Sequence, residues 1–208
     1  MTNHLLVIGT INMDLVAKVP GFPRPGETIA SNYYVESLGG KAANQAIAAK
    51  RSGAEVSFIG KVGGDSFGRE AYKQLIEEGI NVEYLMQSDK KSTGTSLIVV
   101  NEDGENMIIT NLQANTDLSI NEVEHSLLAL ENVEAALLQL EMSSEMISTI
   151  IATLKKRQIP IFVNLAPVIP ISLETQSLID VLILNEVEAS QLSGIHVHDK
   201  KRLNNPLF

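Results

Sequence analysis

Asn12 and Asp14 stand two residues apart just beyond a short apolar run, Leu5-Leu6-Val7-Ile8. In extended chain such residues point the same way, so an amide and a carboxylate are offered together at a strand end. Glu141 likewise follows Leu137-Leu138-Gln139-Leu140. Asn185 follows Val181-Leu182-Ile183-Leu184, and Glu188 comes three residues later at the start of an expected helix. Between the first two groups lies Ser37-Leu38-Gly39-Gly40-Lys41-Ala42-Ala43-Asn44-Gln45-Ala46. Gly39 and Gly40 let backbone approach a ligand closely or take φ > 0. The Ala-rich segment after them reads as a helix from Ala42 to Ser52, closed by Gly53, with Ala42, Ala46 and Ala49 on its packing face. A helix N-terminus offers unpaired N–H groups and a positive dipole end. Lys41 and Asn44, three apart, project near it. Carboxylates that accept, with amides and N–H groups that donate, describe a pocket for a hydroxyl-rich ligand.

Each residue also has a plain structural reading. Asp14 alone is a solvated strand-end carboxylate, and Gly39-Gly40 alone is a tight turn. Lys41 and Asn44 are an exposed face and a helix-start residue, Glu141 is a loop residue, and Glu188 is an exposed helix position.

The elements that must position these groups alternate. Strands are expected at Leu5–Ile8, Val56–Ile59, Ala135–Leu140, Ile159–Leu165 and Val181–Leu184. Helices are expected after Asp65 as far as Gly79, after the Ser119/Glu122 capping-box pair through Leu130, from Ser143/Ser144 to Gln158, and from Leu173 to Leu178. This order predicts a doubly wound, mainly parallel α/β sheet with helices on both faces. Ligands bind beyond the carboxyl ends of such strands. Extended pieces at 11–19 and 29–37, and a hairpin over 95–110 turning at Asp103-Gly104, do not fit the alternation and predict a separate small sheet.

Composition narrows the function classes. The 208 residues carry net charge −9, which argues against nucleic acid as a partner. There is no Cys, so thiol catalysis and Cys-type zinc sites are out, and the four His show no metal-ligand spacing. No apolar run is long enough for a membrane span, and none makes a signal peptide, so a cytoplasmic location is the expectation.

Gly-Thr-Ile-Asn-Met-Asp after the first strand, Pro-Gly-Glu-Thr at 25–28, Gly-Gly-Lys-Ala-Ala-Asn-Gln-Ala at 39–46 and Gly-Gly-Asp-Ser-Phe-Gly at 63–68 resemble the ribokinase (PfkB) family of sugar kinases. Glu-Asp-Gly-Glu-Asn at 102–106, Leu140-Glu141 and Leu-Asn-Glu-Val-Glu-Ala at 184–189 follow in the family's order. The resemblance runs from the first residues to about Gly194, giving an expected domain over 1–194 and a polar tail over 195–208. Ala42 departs from the Gly common there, which could crowd the turn. The resemblance implies that Asn12, Asp14, Gly39, Gly40, Lys41, Asn44 and Glu141 hold the sugar. It implies that Asn185 serves the nucleotide phosphates and that Glu188 serves the Mg²⁺ region, directly or through water. The small sheet would be the family's lid and a homodimer contact. The implied reaction is ATP + D-ribose giving D-ribose 5-phosphate + ADP with Mg²⁺ and K⁺ activation.

The Gly-Ala-Gly-Asp stretch that supplies the family's general base does not occur in this sequence. The expectation is therefore a truncated fold with little or no activity, no catalytic residue of its own, and an apolar sheet edge at Val181–Leu184. The alternatives are a non-catalytic sugar- or partner-binding fragment and a fructose or nucleoside kinase of the same family. A dinucleotide-binding domain is disfavoured, because Gly39-Gly40 neither matches Gly-x-Gly-x-x-Gly nor directly follows the first strand.

Overall fold

The computed structural model describes residues 3–195. The chain runs β1 (His4–Ile8), β2 (Asn12–Lys18), β3 (Tyr33–Gly39), α1 (Lys41–Arg51), β4 (Glu55–Gly63), α2 (Ser66–Glu77) and β5 (Leu85–Ser88). It continues β6 (Gly94–Val100), β7 (Asn106–Asn111), a 3₁₀ turn (Gln113–Asp117), α3 (Ile120–Ala129), β8 (Ala135–Gln139) and α4 (Ser144–Lys156). It ends with β9 (Ile161–Asn164), α5 (Leu173–Ser177), β10 (Val181–Ile183) and α6 (Glu186–Ser193).

Two sheets result. Six strands in the order β10-β9-β8-β1-β4-β5 are paired in parallel throughout. Four strands in the order β3-β2-β6-β7 form a mixed sheet, antiparallel at both outer pairs and parallel between β2 and β6. The expected alternation and the separate small sheet are both present.

Two hydrophobic clusters sandwich the large sheet. Leu127, Leu138, Ile147, Ile150 and Leu154 join α3 and α4 to one face. Val7, Phe58, Ala43, Ala46, Ala71 and Leu75 join α1 and α2 to the other. At roughly 25 cal/mol per Å², each fully buried Leu, Ile or Phe is worth about 1.5–3 kcal/mol, so these faces dominate the stability of the platform. Side-chain caps start the helices where expected: Asp65 accepts from Gly68 N at 2.8 Å, and Ser119 and Glu122 form the reciprocal capping box.

Three boundaries differ from the sequence reading. β4 does not stop at Ile59 but runs on to Gly63, because Gly60–Gly63 pair with β5. β5, reading Leu-Met-Gln-Ser, has too little apolar pattern to stand out. β3 begins at Tyr33 rather than residue 29, because the Ser31 hydroxyl bonds Lys18 O and Tyr33 O and turns the chain into its register. Among the described residues β10 pairs on one side only, and Val181, Leu182 and Ile183 are exposed. The expected tail lies outside the described residues apart from Ile195.

Candidate active site

β1 and β8 are parallel neighbours, with Ile8 beside Leu138, so the residues that follow them emerge side by side. Thr10 follows β1 and Glu141 follows β8. The Thr10 hydroxyl donates to one Glu141 carboxylate oxygen and the Lys41 ammonium to the other. Lys41 is the first residue of α1, so one ion pair ties the helix start to the sheet edge. Its carboxylate is mostly shielded and its ammonium is about half exposed, at 14% and 42% of side-chain surface.

Asn12 and Asp14 lie in β2 on one face, as their spacing predicts. Asn12 is buried opposite Gly39 on β3 and Gly94 on β6. The Asp14 carboxylate packs directly over Gly39, in the space a side chain there would fill. It makes no hydrogen bond or ion pair to another described residue. Gly40 turns the chain from β3 into α1 with φ 92° and ψ 134°, and no side chain caps the helix. The amide of Ala43 turns back to Thr10 O at 3.4 Å and that of Asn44 bonds Gly40 O at 3.0 Å, so the N–H groups of Lys41 and Ala42 are the ones with no intrahelical partner. Ala42 does not crowd this turn: its methyl is fully buried and packs beside Gly9, which has no side chain to oppose it.

Asn12, Asp14, Gly39, Gly40, Lys41 and Glu141 thus converge where the small sheet meets the carboxyl edge of the large one. Asn44 sits farther along the first turn of α1, exposed; its backbone N–H bonds Gly40 O at 3.0 Å and its side chain makes no hydrogen bond to another described residue. Asn185 and Glu188 are elsewhere on the same edge, beyond β10, three strand positions from β1. At roughly 4.8 Å per strand that is about 14 Å away. There they form a capping box on α6. The Asn185 side chain accepts from Glu188 N at 2.9 Å, and Glu188 Oε2 accepts from Asn185 N at 2.8 Å. Glu188 Oε2 is engaged in this box while Oε1 makes no hydrogen bond to another described residue, so a single carboxylate oxygen is on offer. No cluster of three or more His, Asp or Glu suited to a metal exists among the described residues. This donor set fits a Mg²⁺ delivered on nucleotide phosphates and reached through its waters, not an ion caged by protein.

A cavity of about 550 Å³ opens beside Glu141, walled by Leu112, Leu118, Met142 and Met146 with Asn115 and Thr110 at its polar side. The sequence reading missed Thr10, Asn115 and Gln139. Thr10 had a signal, since it directly follows the first strand and its glycine. Gln139 is buried at the end of β8, where its amide nitrogen donates to Gln45 of α1 and its Oε1 has no partner among the described residues. Asn115 lies in a polar stretch that carries no motif.

Residues 2–205 match the family described as pfkB family carbohydrate kinase. The chain is 37% identical over 201 residues to ribokinase of Haemophilus influenzae, covering 97% of this chain and 66% of that one. It is 35% identical to ribokinase of Bacillus subtilis, covering 91% and 64%. Among solved structures, ribokinase from Giardia lamblia superposes with a TM-score of 0.84 at 31% identity, over 98% of this chain and 63% of that one. Arabidopsis thaliana ribokinase complexed with ribose and ATP gives 0.86 at 27% identity, over 98% and 66%. The 208 residues thus span about two thirds of the length of these relatives. With its six-stranded parallel sheet, its small mixed sheet and the sugar-kinase motifs gathered between them, the chain belongs to the pfkB family of carbohydrate kinases.

Proposed function

We propose that this chain carries the sugar-binding half of an ATP-dependent kinase for D-ribose, acting by D-ribose + ATP to D-ribose 5-phosphate + ADP. The observation that carries the reading is Asp14: a half-buried carboxylate, unpartnered among the described residues, held over Gly39 at the mouth of a helix. A carboxylate so placed accepts hydrogen bonds from two vicinal hydroxyls, while Asn12 and the α1 amides complement hydroxyl oxygens. Lys41 and Thr10 fix Glu141 as a second acceptor. Asn44, near the α1 start, is proposed to reach the sugar from its exposed position.

Asn185 and Glu188, about 14 Å away along the same edge, are proposed as the nucleotide side. Lying on the carboxyl edge of the large sheet, three strand positions from β1, they suit the far end of a ligand pair joined through a phosphoryl group. Bound Mg²⁺ would neutralise the phosphate charge. Glu188 Oε1 and the waters of the ion are the proposed contact.

The small sheet is proposed as a lid over the sugar and as a homodimer contact. Both its faces carry exposed apolar side chains, with Tyr34, Leu97, Met107 and Ile109 on one and Val35 and Ile108 on the other.

No Gly-Ala-Gly-Asp is present among the 208 residues to supply a general base and an anion hole. Phosphoryl transfer depends almost wholly on such positioning and charge stabilisation. These residues alone are therefore proposed to bind ribose with little turnover. ADP release by the purified chain with ATP, Mg²⁺ and ribose, in K⁺ and in Na⁺ buffer, tests this. Ribose-dependent turnover that disappears in Asp14→Ala would place a working base inside the chain and overturn the slow-turnover reading.

A further inference from the structure

Asn115 is buried, is held in a strained turn, and is bonded to segments far away in sequence. Ile11 N donates to its Oδ1 at 2.9 Å. Its Nδ2 faces Ile11 O at 3.1 Å, Asn12 Oδ1 at 2.9 Å and Leu112 O at 2.9 Å. Ile11 and Leu112 are two of the places where the chain crosses between the large and small sheets. A third crossing, at Gly94, passes so close that a side chain there would strike both the Asn12 oxygen and the Asn115 nitrogen. One carboxamide therefore sits at the junction of the two sheets.

The polarity of these bonds propagates. A backbone N–H can only donate, so the atom of Asn115 facing Ile11 N must be the oxygen. Its NH₂ then faces Asn12, and the atom of Asn12 facing it must be the oxygen. The Asn12 NH₂ is thereby turned the other way and makes no hydrogen bond to another described residue.

The turn bearing Asn115 is over-determined by its surroundings. Gln113 is a non-glycine residue at φ 41°, a conformation that persists only where neighbours hold it. Those neighbours are present. Ala114 N donates to Ser92 O at 2.9 Å, and Ser88 Oγ donates to Asp117 at 2.5 Å. Buried Lys61 of β4 reaches Asp117 O at 2.9 Å and Glu122 at 2.7 Å.

We propose that Asn115 is a positioning residue that sets the polarity of the sugar site, fixing Asn12 with its NH₂ as a donor toward the ligand. The proposal rests on the sugar-site reading above and adds a residue that touches no substrate in that reading. Asn115→Asp tests it with almost no change of volume. The introduced carboxylate, when ionised, still accepts from Ile11 N but cannot donate to Asn12, so the Asn12 amide turns over and offers its oxygen to the ligand. Because that carboxylate also faces Ile11 O and Leu112 O, the titrations are run well above the carboxylate range, beside a melt that shows the variant folded.

The experiment measures D-ribose affinity of the 208-residue chain by calorimetry for wild type, Asn115→Asp, Asn12→Ala and the double variant. Expected is a loss of roughly tenfold or more in Asn115→Asp, with no further loss when Asn12 is already Ala. An Asn115→Asp effect that persists in the Asn12→Ala background, or no effect at all, overturns the proposal. Hydrogen exchange at the Ile11 amide is followed alongside in wild type and Asn115→Leu. If wild type binds no ribose, the sugar-site reading fails, and this exchange decides the junction role alone. Protection lost in Asn115→Leu supports that role, and unchanged protection overturns it.

Discussion

Gly40 is the position where the geometry of the site is least negotiable. A Cβ built there falls 2.7 Å from Thr10 O, 2.8 Å from Ile11 Cα and 3.0 Å from Asn12 N. All three are backbone atoms, so no flexible side chain can move aside. Gly40→Ala therefore carries two costs. Holding an L-residue at φ 92° costs about 1–3 kcal/mol. Forcing the methyl against backbone adds about 1–3 kcal/mol more. The sum, about 2–6 kcal/mol, is a large part of a typical stability of roughly 5–15 kcal/mol. At about 2–4 °C per kcal/mol for a chain of this size, Tm should fall by roughly 4–24 °C. Gly104→Ala, at φ 83° with no atom within 4 Å of the added methyl, carries the first cost alone. Its fall should be about half as large or less, with ribose affinity unchanged. Far-ultraviolet circular dichroism reads both melts in a chain without Trp. Equal losses in the two variants would refute the steric argument.

Other expectations follow from particular contacts. Lys41→Ala should lower Tm by no more than about 4 °C, since a half-exposed ion pair is worth ~0–1 kcal/mol, yet weaken ribose binding, which calorimetry and melting on the same sample would separate. Ser88's hydroxyl, then Lys61, hold Asp117 below the usual carboxylate range. At Glu122 burial pushes upward, but hydrogen bonds from Lys61 and Ser119 outweigh it and the group ends low. Lowered folded values mean stability present above the unfolded carboxylate range and lost as pH falls through the folded values. Tm should hold above about pH 5 and drop below about pH 4, more shallowly in Lys61→Met, in melts across that range. Light scattering should show a dimer that Ile109→Glu dissociates, if the small sheet is the contact. Leu182→Lys should instead suppress concentration-dependent aggregation through the exposed β10 edge, read as turbidity over time.

How much was legible depended on whether a signal was local. The α1 start, the Asp65 cap and the Ser119/Glu122 box are each decided within four residues, and the structure places them as the sequence implies. Glu141 was legible as a strand-end carboxylate. Its partners Thr10 and Lys41 lie 131 and 100 residues away, and only the β1–β8 pairing, with the α1 start tied back to Thr10, joins them. Asn115 was invisible for the same reason, since its role depends on contacts 103 and 104 residues distant. β5 and the far half of β4 were hidden because glycines and polar residues interrupt the apolar run that marks a buried strand. Asn185 and Glu188 show the opposite case: their spacing marks a capping box as well as a family motif, and the structure contains the box.

The most direct test of the account is a calorimetric titration of D-ribose into the 208-residue chain, beside Asp14→Ala. Saturable one-site binding that Asp14→Ala abolishes while Tm stays within a few degrees is the predicted result. No binding by the wild type, or equal binding by Asp14→Ala, would contradict the claim that these residues form a sugar site.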